Sequence, residues 1–238
     1  TTSVVSLSAD GLRGTGGGAG SMTPDGRYVA FVSGETDLVT GVSDANAGWD
    51  VFLRDLQTGT TRLVSWNAAG TGTGNRASGT GQYDFDFVQG PPVLSDDGRF
   101  VAFTGEASDL VAGIADANDG LTGSFGTRRR DVFVRDRLTA ETTRVSVGCG
   151  GEQGNGDSGI PDISANGRYV AFASAASNLV ASDNNGYQDI FVRDRQTGET
   201  RRVSLADDDI RIVWPFDCNA PHFHVISLRS NLRSCRYQ

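Results

Sequence analysis

Asp25-Gly-Arg-Tyr-Val-Ala-Phe31 is written three times in this chain, again as Asp97-Gly-Arg-Phe-Val-Ala-Phe103 and as Asn166-Gly-Arg-Tyr-Val-Ala-Phe172. The glycines Gly26, Gly98 and Gly167 set periods of 98 − 26 = 72 and 167 − 98 = 69 residues. Three more motifs keep step in the same order. Asp37-Leu-Val39, Asp109-Leu-Val111 and Asn178-Leu-Val180 come first. Asp50-Val-Phe-Leu-Arg-Asp55, Asp131-Val-Phe-Val-Arg-Asp136 and Asp189-Ile-Phe-Val-Arg-Asp194 follow. Thr61-Arg-Leu-Val-Ser65, Thr143-Arg-Val-Ser146 and Arg202-Val-Ser204 close each unit. Such self-similarity marks a chain built from repeated supersecondary units.

Each unit reads as four strands. The first is short: Pro92–Ser95, Pro161–Ser164 and a weak equivalent at Ser21–Thr23. An Asp-Gly or Asn-Gly turn, a strong hairpin signal, leads to the second at Arg27–Ser33 and its copies. The third is Asp50–Asp55 and its copies. A Gln-Thr-Gly turn at 57–59 or 196–198 leads to the fourth, Thr60–Ser65 and its copies.

Side chains alternate between the faces of a strand, yet in Tyr28-Val-Ala-Phe-Val32 both alternating sets are apolar. A sheet with one face in water would alternate apolar and polar residues. These sheets are therefore expected to be covered on both sides, and no helical period between the strands supplies the cover. Stacking each sheet radially on the next does, which predicts an all-β protein, a β-propeller built of four-stranded antiparallel blades. The Asp-Gly-Arg-Tyr-Val-Ala-Phe strand, the Leu-Val loop and the Asp-Ile-Phe-Val-Arg-Asp strand resemble the TolB-type, WD-like propeller repeats of bacteria over roughly residues 2–206. That resemblance speaks to fold, because such blades serve many roles. Two features depart from it. The period exceeds the roughly 40–45 residues of compact blades, the excess lying in Gly-rich inserts at 68–90, 112–130 and 148–159. Only three complete units are visible, whereas closed propellers have about 4–8 blades.

The domain reading follows: blades over 1–206, with repeats at about 19–67, 91–148 and 160–206 and a stray fourth-type strand at 2–8, then an irregular tail or degenerate blade over 207–238. Thr2–Ser8 resembles the fourth strand, so the chain begins one strand out of phase. The tail lacks both signature strands, although Ile210–Phe216 and His222–Leu228 could each form one. A degenerate fourth blade and a frameshifted or truncated reading frame account for it equally. Three blades leave exposed faces, which predicts dimerisation, a missing partner segment or poor behaviour in isolation.

Among 238 residues there are 32 glycines and a net charge of −8, and all 21 basic residues are arginine. An acidic surface argues against nucleic acid, which needs a basic stripe, and the lack of lysine removes Schiff-base and P-loop chemistry. No run approaches the roughly 20 apolar residues of a membrane helix. The chain opens in strand-like sequence without the charged and apolar segments of a leader, as it would if a leader had been removed. Cys149, Cys218 and Cys235 make an odd count. Cys218 and Cys235 could pair and close a short loop, or all three could be free thiols.

The best candidate for chemistry is an Asp/Asn loop ahead of the third strand. It reads Asp44-Ala-Asn-Ala-Gly-Trp-Asp50 and Asp183-Asn-Asn-Gly-Tyr-Gln-Asp189, with a middle copy at Asp116-Ala-Asn-Asp-Gly120. Ca²⁺ takes six to eight oxygens, and Asp44, Asn46, Asp50, Asp116, Asn118, Asp183, Asn185 and Asp189 would supply some of them. Plain turn chemistry, in which Asp and Asn bond their own backbone, is the alternative. The recurrent Arg54-Asp55, Arg135-Asp136 and Arg193-Asp194 read as a structural salt bridge or hydrogen bond. The pair His222 and His224 with Cys218 and Cys235 is a poor zinc set, lacking Cys-x₂-Cys spacing. The triple Arg128-Arg-Arg130 reads as solvated. Tyr83-Asp-Phe-Asp-Phe87 suits a sugar or protein contact, or core packing.

No Gly-x-Ser-x-Gly elbow is present and no histidine lies within the repeats. No catalytic residue is assigned. The expected function is a non-catalytic binding or scaffold module for a protein or glycan, with Ca²⁺ as the candidate for stiffening its loops, in the bacterial periplasm or outside the cell. The alternatives are a carbohydrate-active hydrolase or lyase using a carboxylate pair on the axial face, and a fragment of a larger exported propeller.

Overall fold

The computed structural model describes residues 4–11, 16–79, 90–113, 130–181 and 183–204. Twelve strands form three four-stranded antiparallel sheets. The first holds β1 (Gly20–Met22), β2 (Tyr28–Ser33), β3 (Asp50–Asp55) and β4 (Thr60–Leu63). The second holds β5 (Val93–Leu94), β6 (Phe100–Gly105), β7 (Asp131–Asp136) and β8 (Glu141–Arg144). The third holds β9 (Ser158–Ile163), β10 (Tyr169–Ser174), β11 (Asp189–Asp194) and β12 (Glu199–Arg202). Each is a meander in chain order. This is the β-propeller blade that the alternation predicts. β9 starts earlier than Pro161 because pairing resumes past a bulge opposite Ala171–Ala173, where Ser158 meets Ser174.

The register repeats in every sheet. Tyr28, Phe100 and Tyr169 lie opposite Asp55, Asp136 and Asp194, and Phe31, Phe103 and Phe172 lie opposite Phe52, Phe133 and Phe191. Those phenylalanine pairs stack with centroids 5.9, 5.8 and 5.9 Å apart, an arrangement worth about 0.5–1.5 kcal/mol beyond burial. The hairpin turn is equally regular. The hydroxyl of Thr23, Ser95 or Ser164 donates to Asp25, Asp97 or Asn166 and accepts the N–H of Tyr28, Phe100 or Tyr169.

The Arg-Asp ends of the third strands are not neighbour pairs. Asp55, Asp136 and Asp194 bind the turn arginines Arg27, Arg99 and Arg168 at 2.9, 2.7 and 2.7 Å across the sheet. Arg54, Arg135 and Arg193 donate instead to Thr61, Thr142 and Thr200 on the fourth strand, each at 2.9 Å. Adjacent residues on a strand point to opposite faces, so the two members of each dipeptide find different partners.

Sheet packs on sheet. Tyr28, Ala30, Val32, Val51 and Leu53 of the first meet Val101, Phe103 and Phe133 of the second. Ala102, Val132, Val134 and Val145 of the second meet Val170, Phe172 and Phe191 of the third. Phe31 and Phe52, on the other face of the first sheet, are buried with Val5, Val39, Val42 and Trp66 packed around them. The first strands approach one another, with Ser21 Oγ donating to Pro92 O at 2.7 Å.

A ring-on-turn contact locks each interface. Tyr28 lies between Arg27 of its own sheet and Arg137 of the next, at 4.8 and 4.5 Å from the ring centroid. Phe100 lies likewise between Arg99 and Arg195, at 4.7 and 4.4 Å. Each ring sits over the turn glycine of the next sheet, Gly98 or Gly167, where a Cβ would overlap it. Both glycines have φ near +70° (65° and 70°), as does Gly26 (73°), but nothing lies within 4 Å of a Cβ built on Gly26. Gly26→Ala should therefore cost only backbone strain, about 1–2 kcal/mol. Gly98→Ala and Gly167→Ala should cost roughly 3 kcal/mol or more through added overpacking, read as the shift in urea midpoint at unchanged slope.

Candidate functional site

Antiparallel meanders put their connections at two ends. The tight turns at 23–28 and 55–60, with their copies, lie at one end. The loops from second to third strand and the links between sheets lie at the other. All three Gly-rich inserts belong to that second set, since 68–90 and 148–159 link sheets while 112–130 joins β6 to β7. Among the described residues one end of the stack holds the tight turns and the other holds the longer connections.

The Leu-Val motif organises the loop end. Leu38, Leu110 and Leu179 are fully buried under it. In the second and third units the polar residue before the leucine receives the link from the preceding sheet. Asn75 N–H donates to Asp109 Oδ1 at 2.9 Å, Asn75 Nδ2 to Ser108 Oγ at 2.8 Å, and Ser108 N–H returns to Asn75 Oδ1 at 3.0 Å. In the third unit Asn155 N–H donates to Asn178 Oδ1 at 2.8 Å, with Asn155 and Ser177 exchanging the same pair of bonds. Asn75 and Asn155 each follow a glycine, Gly74 and Gly154, and this repeated Gly-Asn pair is the signal the sequence carries for the clamp.

The aspartate opening each third strand stands at this end and is buried. Ser65, Ser146 and Ser204 donate to Asp50, Asp131 and Asp189 at 2.8, 2.6 and 2.5 Å while accepting the next residue's N–H. The serine of the closing motif is thus the partner of the aspartate, a pairing that sequence reading passes over. Two residues before the serine, units two and three carry Arg144 and Arg202. Arg144 Nε lies 3.4 Å from Asp131, and Arg202 Nη1 bridges Asp183 at 2.8 Å and Asp189 at 3.2 Å. In the first unit that position is Leu63, so among the described residues no cation pairs with Asp50. Burial, followed by the charge of Asp44, pushes the Asp50 carboxyl up to about 7, against hydrogen bonds from Ser65 and Asn46. Burial and the charge of Asp189 raise Asp183 too, while Arg202 opposes the rise.

The structure brings Asp44, Asn46 and Asp50 together. Asp44 Oδ1 accepts the N–H groups of Asn46 and Ala47, at 3.0 and 2.9 Å. Asn46 Nδ2 donates to Gly74 O at 2.7 Å, to Arg76 O at 3.0 Å and to Asp50 Oδ2 at 3.5 Å. Asp183, Asn185 and Asp189 also meet, with Asn185 Nδ2 on Asp189 at 2.9 Å and Arg202 between the two carboxylates. Among the described residues no group of three or more His, Cys, Asp or Glu side chains could hold a metal ion. Asp116 and Asn118 lie outside the described residues, as do Tyr83-Asp-Phe-Asp-Phe87, both histidines, Cys218, Cys235 and the tail. Arg130 is not solvated as read. It is buried beside Glu106 at 3.4 Å and Asp157 at 3.7 Å, since the following strand carries it into the loop end.

No family matches the chain by sequence, and no curated protein does. In structure the chain is similar to β-propellers. TolB from Acinetobacter baumannii is 19% identical with a TM-score of 0.42, over 84% of this chain and 36% of that one. The β-propeller domain of the Trilobed protease from Pyrococcus furiosus is 10% identical with a TM-score of 0.39, over 79% and 43%. The tricorn protease is 15% identical with a TM-score of 0.40, over 75% and 13%. The chain thus spans less than half the length of these structures. Among the described residues no helix is long and apolar enough to cross a membrane.

A carboxyl whose value rises on folding stabilises the protein below its unfolded value, near 3.8, and that contribution is lost as pH climbs through the folded value. Stability should therefore fall between about pH 4 and 7, by up to about 1.4 kcal/mol per pH unit. Asp50→Asn should flatten this window. The lowered Asp55 acts separately, its contribution being lost below about pH 4. Urea unfolding from pH 4 to 8 reads the difference.

Proposed function

We propose that this chain is a non-catalytic binding or scaffold module that offers the loop end of its propeller to a protein or glycan, in the bacterial envelope or outside the cell. The observation that carries the reading is the asymmetry of the stack. The two Gly-rich links between sheets start at one end and are clamped there, sheet to sheet, by Asn75 and Asn155. Loops on a rigid scaffold are where recognition is usually placed. The strand-opening aspartates at that end bond within their own blade, to Ser65, Ser146 and Ser204. The acidic, Gly-rich composition supports the location.

In this reading Ca²⁺ stiffens the first loop and not the third. Asp44 and Asp50 have Leu63 where the third unit places Arg202 between Asp183 and Asp189. Two carboxylates and an amide fall short of six to eight oxygens, so backbone carbonyls and water would complete the shell. After EDTA treatment, millimolar Ca²⁺ should raise the unfolding midpoint by several degrees, since a ligand specific to the folded state stabilises it. Leu63→Arg, which puts a guanidinium in the same place, should abolish the rise. A rise of equal size in Leu63→Arg would remove Ca²⁺ from the first loop. The binding reading is tested by co-sedimentation with a panel of insoluble polysaccharides and peptidoglycan while reducing ends are assayed. Sedimentation without release supports it, and release of reducing ends would make the chain a hydrolase.

A further inference from the structure

The ring-on-turn contact is complete twice and half-built once. Tyr28 is closed by Arg137, and Phe100 by Arg195, each from the following sheet. Tyr169 occupies the same position in the third sheet and is stacked by its own Arg168 at 4.9 Å. Among the described residues nothing covers its other face, and it is 42% exposed although Tyr28 is 6% exposed. The strand residues behind it follow suit. Ala102, Val132 and Val134 are fully buried by the third sheet. Their register equivalents Ala171, Ile190 and Val192 are half-buried.

We propose that this face of the third sheet is the seat of a further unit of the same repeat, whose turn glycine would lie under Tyr169 and whose arginine, one residue past its third strand, would close the ring. The two existing interfaces define the partner chemistry. In each, the arginine holds its own turn as well as the ring: Arg137 Nε donates to Gly98 O at 2.7 Å, and Arg195 Nη1 to Gly167 O at 2.6 Å. A second copy of this chain is the poorer occupant. It would present Leu56 where Arg137 and Arg195 stand. Its first sheet is also already met by residues 4–11, which sit as the end of a preceding fourth strand does. Ala9 N–H donates to Asp37 O at 2.7 Å as Ala68 N–H does to Asp109 O at 2.7 Å. Gly11 N–H turns back to Ser8 O as Gly70 N–H does to Asn67 O. A second copy's third sheet would bring its own fourth strand, β12, into that space.

Hydroxyl-radical footprinting with mass spectrometry tests this on the full chain and on a variant with residues 149–204 repeated between Ser204 and Leu205. In the parent, Tyr169 should be oxidised at least fivefold faster than Tyr28, with light scattering giving one chain. In the extended protein Tyr169 should slow to the rate of Tyr28. Replacing the inserted copy's equivalent of Arg195 by leucine should restore at least half of the difference. Protection of Tyr169 in the parent would overturn the proposal, assigning the face to the tail if the mass is one chain and to a second copy if it is two. An unchanged Tyr169 rate in the extended protein would overturn it as well, whether or not the added unit orders, because a seat for the repeat must order one.

Discussion

An aromatic ring held between two guanidinium groups, one from its own sheet and one from the next, joins each sheet to its neighbour over a turn that admits no side chain. The rest of the structure depends on that contact because no sheet here can stand alone. Both faces of every second and third strand are apolar, so each sheet must find cover on two sides, and only another such sheet has the matching surface. The apolar faces supply most of the free energy. The ring, the glycine and the arginine set which sheet follows which, and at what height, since an error of one residue would put a Cβ or an aspartate under the ring.

Within a sheet a second set of interactions fixes register. The turn arginine reaches across to the aspartate that ends the third strand, and the phenylalanine pair stacks midway along the same two strands. At the far end the strand-opening aspartate takes the hydroxyl of the closing serine. Charged contacts that are partly exposed contribute little each, but the strand is pinned at both ends and its middle, so slipping by two residues breaks all three. The loop end is thereby free to vary in length without disturbing the blades. The same scaffold carries a short link at 148–157 and longer ones elsewhere.

The sequence made the blades legible because one constraint, cover on both faces, acts on every strand residue and repeats three times. It misled where the partner lies far along the chain. Arg54-Asp55 is legible as a structural bond, but its partners Thr61 and Arg27 are not, and Arg130 looks solvated only because it follows two more arginines. The first and third Asp/Asn loops are legible as loops, and both stand just ahead of the third strand. That Asp50 differs from Asp131 and Asp189 was not visible, since the difference resides in Leu63, thirteen residues away, facing an aspartate it cannot bond. The polar clamp shows in the sequence only as the Leu-Val motif, because Asn75 and Asn155 reach it from the preceding unit.

The central claim is that the ring and the following arginine act as one coupled unit between sheets. A double-mutant cycle of Tyr28→Leu and Arg137→Met, measured by urea unfolding at neutral pH, tests it most directly. A ring stacked at 4.5 Å and also accepting a hydrogen bond at 3.1 Å from the same guanidinium should couple by about 1–2 kcal/mol. Additivity within about 0.3 kcal/mol would contradict the account and leave the sheets held together by apolar burial alone.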